Sequence, residues 1–240
     1  MSTPLLASEK ITVAFGDALA PWVIPETNEG IVIDIIEATM KPLGYEIEKV
    51  YLPYARRIKA YQQGQVDVVS DMNPKTIEHE KLKGFYSGTA YEYENFAISL
   101  KKRHYQFKTI MDLVDYRLMS WQGAVTHLGG DYALMASKNP NYSEHHDQAS
   151  QVKLLFLERV DVIQIDQQIF NYFRAEVARQ GQIDTTEEVD YFPLFGASPN
   201  GFLFRSSRMQ DEFNAQLQQL KESGQYFYIM RKYGTFSAEN

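Results

Sequence analysis

The sequence predicts an α/β fold built on mostly parallel sheets flanked by helices. Two observations carry this. Over residues 11–70 the apolar spacing switches between period two and period 3.6, in the order strand, helix, strand, helix, strand. That order at these lengths implies right-handed crossovers and a parallel sheet. The same alternation then restarts after residue 93.

The elements follow in order. ITVAF (11–15) alternates Ile11, Val13 and Phe15, as a half-buried strand does. APWVIPETNEG (20–30) carries Pro21, Pro25 and Gly30 and reads as a loop. Val32, Ile35, Ile36 and Met40 recur at helical spacing, and Pro42 with Gly44 stops that helix. YEIEKVYL (45–52) is a second strand, Tyr54, Ile58 and Tyr61 mark a second helix, and VDVVS (66–70) is a third strand. Residues 70–79 read as a polar loop at that strand's end.

In the second half, YENFAISL (93–100) is extended and YRLMSW (116–121) is a strand running into Gln122 and Gly123. Helical patterns lie near 128–137 and 149–159. VDVIQID (160–166) is a buried strand followed by a helix to about Gly181. GFLFR (201–205) is a last strand. Met209, Phe213, Leu217 and Leu220 give a long helix, with a short aromatic one after Gly224.

Composition excludes several classes. The 240 residues are 44% hydrophobic and 23% charged, typical of a globular protein of one large or two smaller domains. The net charge of −7 offers no basic face for nucleic acid, and the cluster Lys101-Lys102-Arg103-His104 reads as a solvated face. Without cysteine there is no disulfide, thiolate nucleophile or Cys-held zinc. No apolar run reaches the length of a membrane span, and MSTPLLASEK is too short and polar for a leader. The adjacent EHHD (144–147) reads as a solvated loop, since neighbouring residues rarely converge on one ion. Neither a G-x-S-x-G nor a Walker A pattern occurs. No cofactor and no metal is expected.

Ligands of open α/β sheets bind beyond the C-terminal strand ends. That rule brings three loops, 16–30, 53–56 and 70–76, to one rim. Asp17 and Asp71 sit there as acceptors for a cation or hydroxyls, or as turn caps, and Arg56 sits there as a fork for an anion.

The chain resembles a family at this point. GIVIDIIEATMKPLGY, YARRIKAYQQGQVDVV, KTIEHEKLKGFYSG, LERVDVIQID and the tail from Gly201 to Gly234 follow, in order, motifs of the extracytoplasmic solute-binding proteins of ABC transporters. The branch is the one for polar amino acids, bacterial family 3. The resemblance implies a two-lobed periplasmic-binding-protein fold of type II with two hinge crossings. Lobe 1 would be 1–97 with 195–240 and lobe 2 would be 98–194, with crossings near 96–100 and 193–198. The ligand would lie in the cleft between the lobes.

The resemblance also implies site residues. Asp166 matches the aspartate that holds a ligand ammonium, although Asp equally suits a helix cap there. Trp22 and Tyr54 match ligand-covering aromatics, and Trp121 precedes the ligand-facing turn at Gly123. His79 falls where the family has its carboxylate-binding arginine. Met72 replaces a small residue. Pro74 replaces a Ser or Thr whose backbone N–H bonds that carboxylate, and it has no N–H itself. Gly123-Ala124 lacks the family hydroxyl. With three parts of the cradle altered together, a free α-amino acid in the family pose is not expected, and Arg56 is expected to carry any anion contact.

The implied function is a periplasmic or otherwise extracytoplasmic, leader-cleaved monomer. It binds a small polar solute, an amino acid or amino-acid-like compound, and delivers it to a membrane permease by hinge closure, without catalysis. The alternatives are a receptor's sensing domain, or an enzyme like the cyclohexadienyl dehydratases that share the fold.

Overall fold

The structure, a computed structural model, describes residues 9–17 and 19–233; most of MSTPLLASEK therefore lies outside the described residues. The chain divides into two compact units, Met1–Glu92 with Pro199–Asn240, and Tyr93–Ser198.

The first unit opens with β1 (Glu9–Phe15), α1 (Ile31–Met40), β2 (Tyr45–Tyr51), α2 (Tyr54–Gln62), β3 (Val68–Met72), the short α3 (Pro74–His79) and β4 (Phe85–Tyr86). From β5 (Tyr91–Leu100) the chain passes into the second unit. There it forms β6 (Leu118–Trp121), α4 (Ala124–Leu128), α5 (Gly130–Lys138), β7 (Tyr142–His145), α6 (Gln148–Phe156), β8 (Val162–Asp166), α7 (Gln167–Gln180) and β9 (Val189–Phe192). It returns through β10 (Ala197–Phe204), α8 (Ser207–Glu222) and α9 (Gln225–Lys232).

In the first unit the sheet order is β2-β1-β3-β10, with β4 also on β10. The β1–β2 and β1–β3 pairs are parallel, and β10 runs antiparallel to β3 and β4. In the second unit β6 pairs in parallel with β7 and β8, while β5 runs antiparallel to β8 and β9. Each sheet is thus parallel where helices supply the crossovers and antiparallel where the chain crosses between units. Hydrophobic spacing sets the strand or helix, but not the direction of a partner distant in sequence, so these antiparallel pairs were not expected.

α1 shows why the alternation folds. Ile31, Val32, Ile33, Ile35, Ile36 and Met40 are all fully buried, because β2, α8 and α9 all pack on the helix. Burying one such side chain contributes roughly 1.5–3 kcal/mol.

Three expectations shift. The third strand begins and ends two residues later than VDVVS, at Val68–Met72. The polar loop 70–79 is half helix: Asn73 accepts a bond from Thr76 N–H at 2.9 Å and Pro74 takes the first helical position, so α3 forms. EHHD is not all loop, because Glu144 and His145 end β7. Among the described residues no helix is long and apolar enough to cross a membrane. None of their His, Cys, Asp and Glu side chains gathers as a metal site.

Candidate functional site

Among the described residues only three charged side chains are buried: Arg57, Asp71 and Asp166. Asp71 and Asp166 lie at the C-terminal ends of β3 and β8, and Arg57 joins Asp71 from the first turns of α2. Charged groups are seldom buried unless paired, so their gathering at strand ends marks these ends as special.

In the first unit the sequence creates this cluster by two local devices. The first is a bulge in β3. Gly201 pairs with Met72 and Leu203 with Val69, so β3 carries one residue more than β10 between these pairs. Asp71 absorbs it with φ 57°, a left-handed conformation that Asp tolerates better than most residues. The second is helical phase. In α2, Arg57, Ile58, Ala60 and Tyr61 are buried, whereas Arg56 is exposed.

The resulting network is dense. Arg57 NH1 donates to Asp71 Oδ2 at 2.5 Å and to Ser70 Oγ at 3.4 Å. Ser70 O–H donates to the same Asp71 oxygen at 3.0 Å. Tyr91 O–H donates to Asp71 Oδ1 at 2.9 Å, and Asp71 N–H donates back to the Tyr91 oxygen at 2.9 Å. Burial first, then the Asp71 charge, pushes the Tyr91 phenol well up, so it stays protonated as a donor. Arg57 Nε–H is buried without a partner.

Aromatic rings close round this network. Trp22 is fully buried, 5.8 Å from Tyr91 between ring centroids. The Tyr54 ring lies under the Arg57 guanidinium at 5.9 Å, and its hydroxyl donates to Glu80 at 3.3 Å. Burial and the Glu80 charge push the Tyr54 phenol up to about 12. Asp17 is exposed in the bend after β1. His79 is 67% exposed at the end of α3, with Nδ1 3.3 Å from Glu80.

The second unit has its own strand-end cluster. Asp166 is 3% exposed. Its Oδ1 accepts from Gln168 N–H and Ile169 N–H at 3.0 and 3.1 Å, capping α7, and its Oδ2 accepts from Glu94 N–H at 2.9 Å. Trp121 is half-buried at the end of β6, edge-on to His127 at 5.1 Å. Beyond it the turn at Gly123 has φ 98°. There Glu144 accepts from Gly123 N–H at 2.9 Å and from Val125 N–H at 3.1 Å.

Sequence reasoning singled out Asp71, Trp22 and Tyr54, which the first unit brings together, and Trp121 and Asp166 at the strand ends of the second. Asp17, Arg56 and His79 lie outside the buried network. Arg57 and Tyr91 were missed, and Ser70 was read only as part of the polar loop 70–76. The signal for Arg57 was present: it stands three residues after Tyr54 and one before Ile58, on the buried face.

Two mixed α/β units with their buried charges at strand ends define the class. The fold is that of the two-lobed periplasmic binding proteins. The chain belongs to the bacterial extracellular solute-binding proteins, family 3, whose model matches residues 11–236. Solved structures share the fold at low identity. An ancestral arginine-binding protein bound to glutamine is 19% identical, covers 95% of this chain and 98% of its own, and has a TM-score of 0.71. A histidine kinase sensor domain with similarity to periplasmic binding proteins is 16% identical, covers 94% and 96%, and has a TM-score of 0.73. The ancestral amino acid-binding protein AncCDT-1, a precursor of cyclohexadienyl dehydratase, is 20% identical, covers 93% and 95%, and has a TM-score of 0.69. Among curated proteins none matches the chain by sequence.

Proposed function

We propose that this chain is an extracytoplasmic binding protein for a small polar solute, an amino acid or amino-acid-like compound. It passes that solute to an ABC transporter permease as a monomer and performs no covalent chemistry. The observation that carries the reading is that both buried carboxylates among the described residues stand at strand ends, Asp71 joined there by Arg57 from α2, with aromatic rings beside that pair. A folding core gains little from such groups, whereas a binding site for a small polar molecule needs a few fixed polar groups amid apolar and aromatic walls. In this reading each unit offers its own ligand contacts, Asp71 and Tyr54 in the first and Trp121 and Asp166 in the second, and Trp22 backs Tyr91.

A second reading, a sensing domain of a receptor, is favoured by the likeness to a kinase sensor domain. Both readings require solute binding. They separate on whether a permease or a signalling module receives the closed form.

The experiment is a thermal-shift screen of the purified chain against amino acids, their amides and amines, opines, polyamines, sugars and small carboxylates. A specific binder raises the melting temperature with concentration by mass action. The hit is then titrated against uptake by vesicles holding the permease. A hit whose uptake depends on this chain supports transport. A hit with no effect on uptake moves the reading to sensing.

A further inference from the structure

We infer that Arg57 is a solute-binding residue of the first unit, and that its guanidinium receives an uncharged oxygen of the solute, a hydroxyl or a carboxamide carbonyl. This rests on the solute-binding reading above and deepens it by naming one receiving group and the chemistry it accepts.

The first ground is a donor that the fold leaves unused. Arg57 is 4% exposed, and its Nε–H is buried without a partner. Its bonds within the described residues run through NH1, to Asp71 Oδ2 at 2.5 Å and to Ser70 Oγ at 3.4 Å. The guanidinium is a rigid planar fork. Nε–H therefore stands on the edge away from NH1, where the Asp71 bond does not satisfy it. An unpaired buried donor forfeits its hydration, and native folds leave few of them. An oxygen of the solute satisfies this one.

The second ground is where the guanidinium lies. It meets the ends of β1 and β3, and ligands of open α/β sheets bind beyond such ends. Gly16 follows β1, and a Cβ there would stand 3.1 Å from Arg57 NH1 and 2.5 Å from Leu19 Cδ1. Glycine at residue 16 thus lets the guanidinium approach the backbone at this strand end. The Tyr54 ring lies 5.9 Å from the guanidinium carbon. A fixed polar donor beside an aromatic ring suits a small polar solute. All these residues belong to the first unit.

Charge selects the kind of oxygen. Among the described residues of the first unit, Arg57 and Asp71 are the only buried charged side chains, and they are paired. Glu80 accepts from the Tyr54 hydroxyl at 3.3 Å and adds a further carboxylate beside that ring. A solute carboxylate on the Nε edge would share one cation with Asp71 while giving up its own hydration. A hydroxyl or carboxamide oxygen needs only the N–H.

The test is isothermal titration calorimetry of the intact chain with matched probes. These are asparagine, aspartate and leucine; glutamine, glutamate and homoleucine; threonine and valine; and alaninamide with alanine. The tightest probe should carry the uncharged oxygen and bind at least about ten-fold tighter than its carboxylate or apolar counterpart. A carboxylate that binds as tightly as its carboxamide, or tighter, overturns the inference. So does a thermal-shift screen whose hits all lack a hydroxyl and a carboxamide, and that result leaves the solute-binding reading standing. No binding by any solute brings down both.

Arg57→Lys supplies a second arm, read on the tightest binder of the panel and the screen. It keeps a cation opposite Asp71 and removes Nε–H. Circular dichroism and a melting curve establish that the variant is folded. Affinity for the oxygen-bearing solute should fall about ten-fold or more, and affinity for its apolar counterpart should stay within about two-fold. Unchanged affinity overturns the inference, and so does an equal loss for both, which is the mark of a purely structural role. If Arg57→Lys does not fold, the double variant Arg57→Met with Asp71→Asn, in which no charge is stranded, is read against the same difference.

Discussion

Arg57 and Asp71 form a buried ion pair at the end of β3, with NH1 2.5 Å from Oδ2 and side chains only 4% and 10% exposed. Residue 57 reaches the pair by helical phase and residue 71 by a bulge. Neither partner is stable there alone, because breaking a buried pair strands a charge away from water.

Arg57→Met and Asp71→Asn should therefore each destabilise the chain by about 3 kcal/mol in chemical unfolding, the cost of leaving one partner of a buried pair. The double variant should cost less than the sum, because no charge is then stranded. Strict additivity across this double-mutant cycle would mean that the two groups are not coupled.

Asp166 holds two roles apart. Asp166→Ala removes the cap of α7 and should lower stability by about 1–2 kcal/mol. Asp166→Ser keeps a capping oxygen and removes the charge. It should hold most of the stability while lowering affinity for the best solute about ten-fold or more. A Ser variant with full affinity would leave Asp166 as a cap alone.

Gly30 fixes the entry to α1 beside Trp22. Its φ is 139°, and a Cβ there would stand 2.5 Å from the Trp22 carbonyl oxygen. Gly30→Ala must move backbone rather than a flexible side chain, so a loss of about 2 kcal/mol or more is expected in urea unfolding. A near-neutral result would show that the 21–30 segment shifts freely.

Acid should weaken one identifiable contact in the second unit. Two side-chain bonds from Arg117 to the Asp161 carboxylate, at 2.5 and 2.9 Å, with a third from its backbone N–H at 3.0 Å, hold that acid below the usual carboxylate range. A lowered folded pKa stabilises above the unfolded value, about 3.9, and that contribution is lost as pH falls through the folded value. The stability difference between the wild type and Asp161→Asn should be on the order of 1 kcal/mol and flat from about pH 5 to 8. It should shrink below about pH 4. A difference that persists unchanged at acid pH would contradict the assignment.

Most elements could be read from the sequence because burial and periodicity coincide. Ile35, Ile36 and Met40 show α1, and Met209, Phe213, Leu217 and Leu220 show α8. Strands with few alternating residues, such as β4 and β9, leave no periodic trace. α3 carried its signature, Asn73 before Pro74, but six residues hold too little apolar spacing to outweigh the polar composition. Within the candidate site, Asp71 was legible as a strand-end acid. Its partner was not, because a charged residue on a buried helical face goes against the usual pattern; Arg56 drew the attention due to Arg57. Tyr91 lies twenty residues from Asp71 in sequence, and only the folded chain brings its hydroxyl to that carboxylate.

The most direct measurement is isothermal titration calorimetry of the intact chain with the best solute from the thermal-shift screen. It is run on the wild type, Asp71→Asn, Asp166→Ser and His79→Ala. Saturable binding to one site is expected. The two aspartate variants should each lose about ten-fold or more, and His79→Ala should stay within about two-fold. Binding indifferent to Asp71 and Asp166, or lost with the exposed His79, would contradict a site built on the buried strand-end charges.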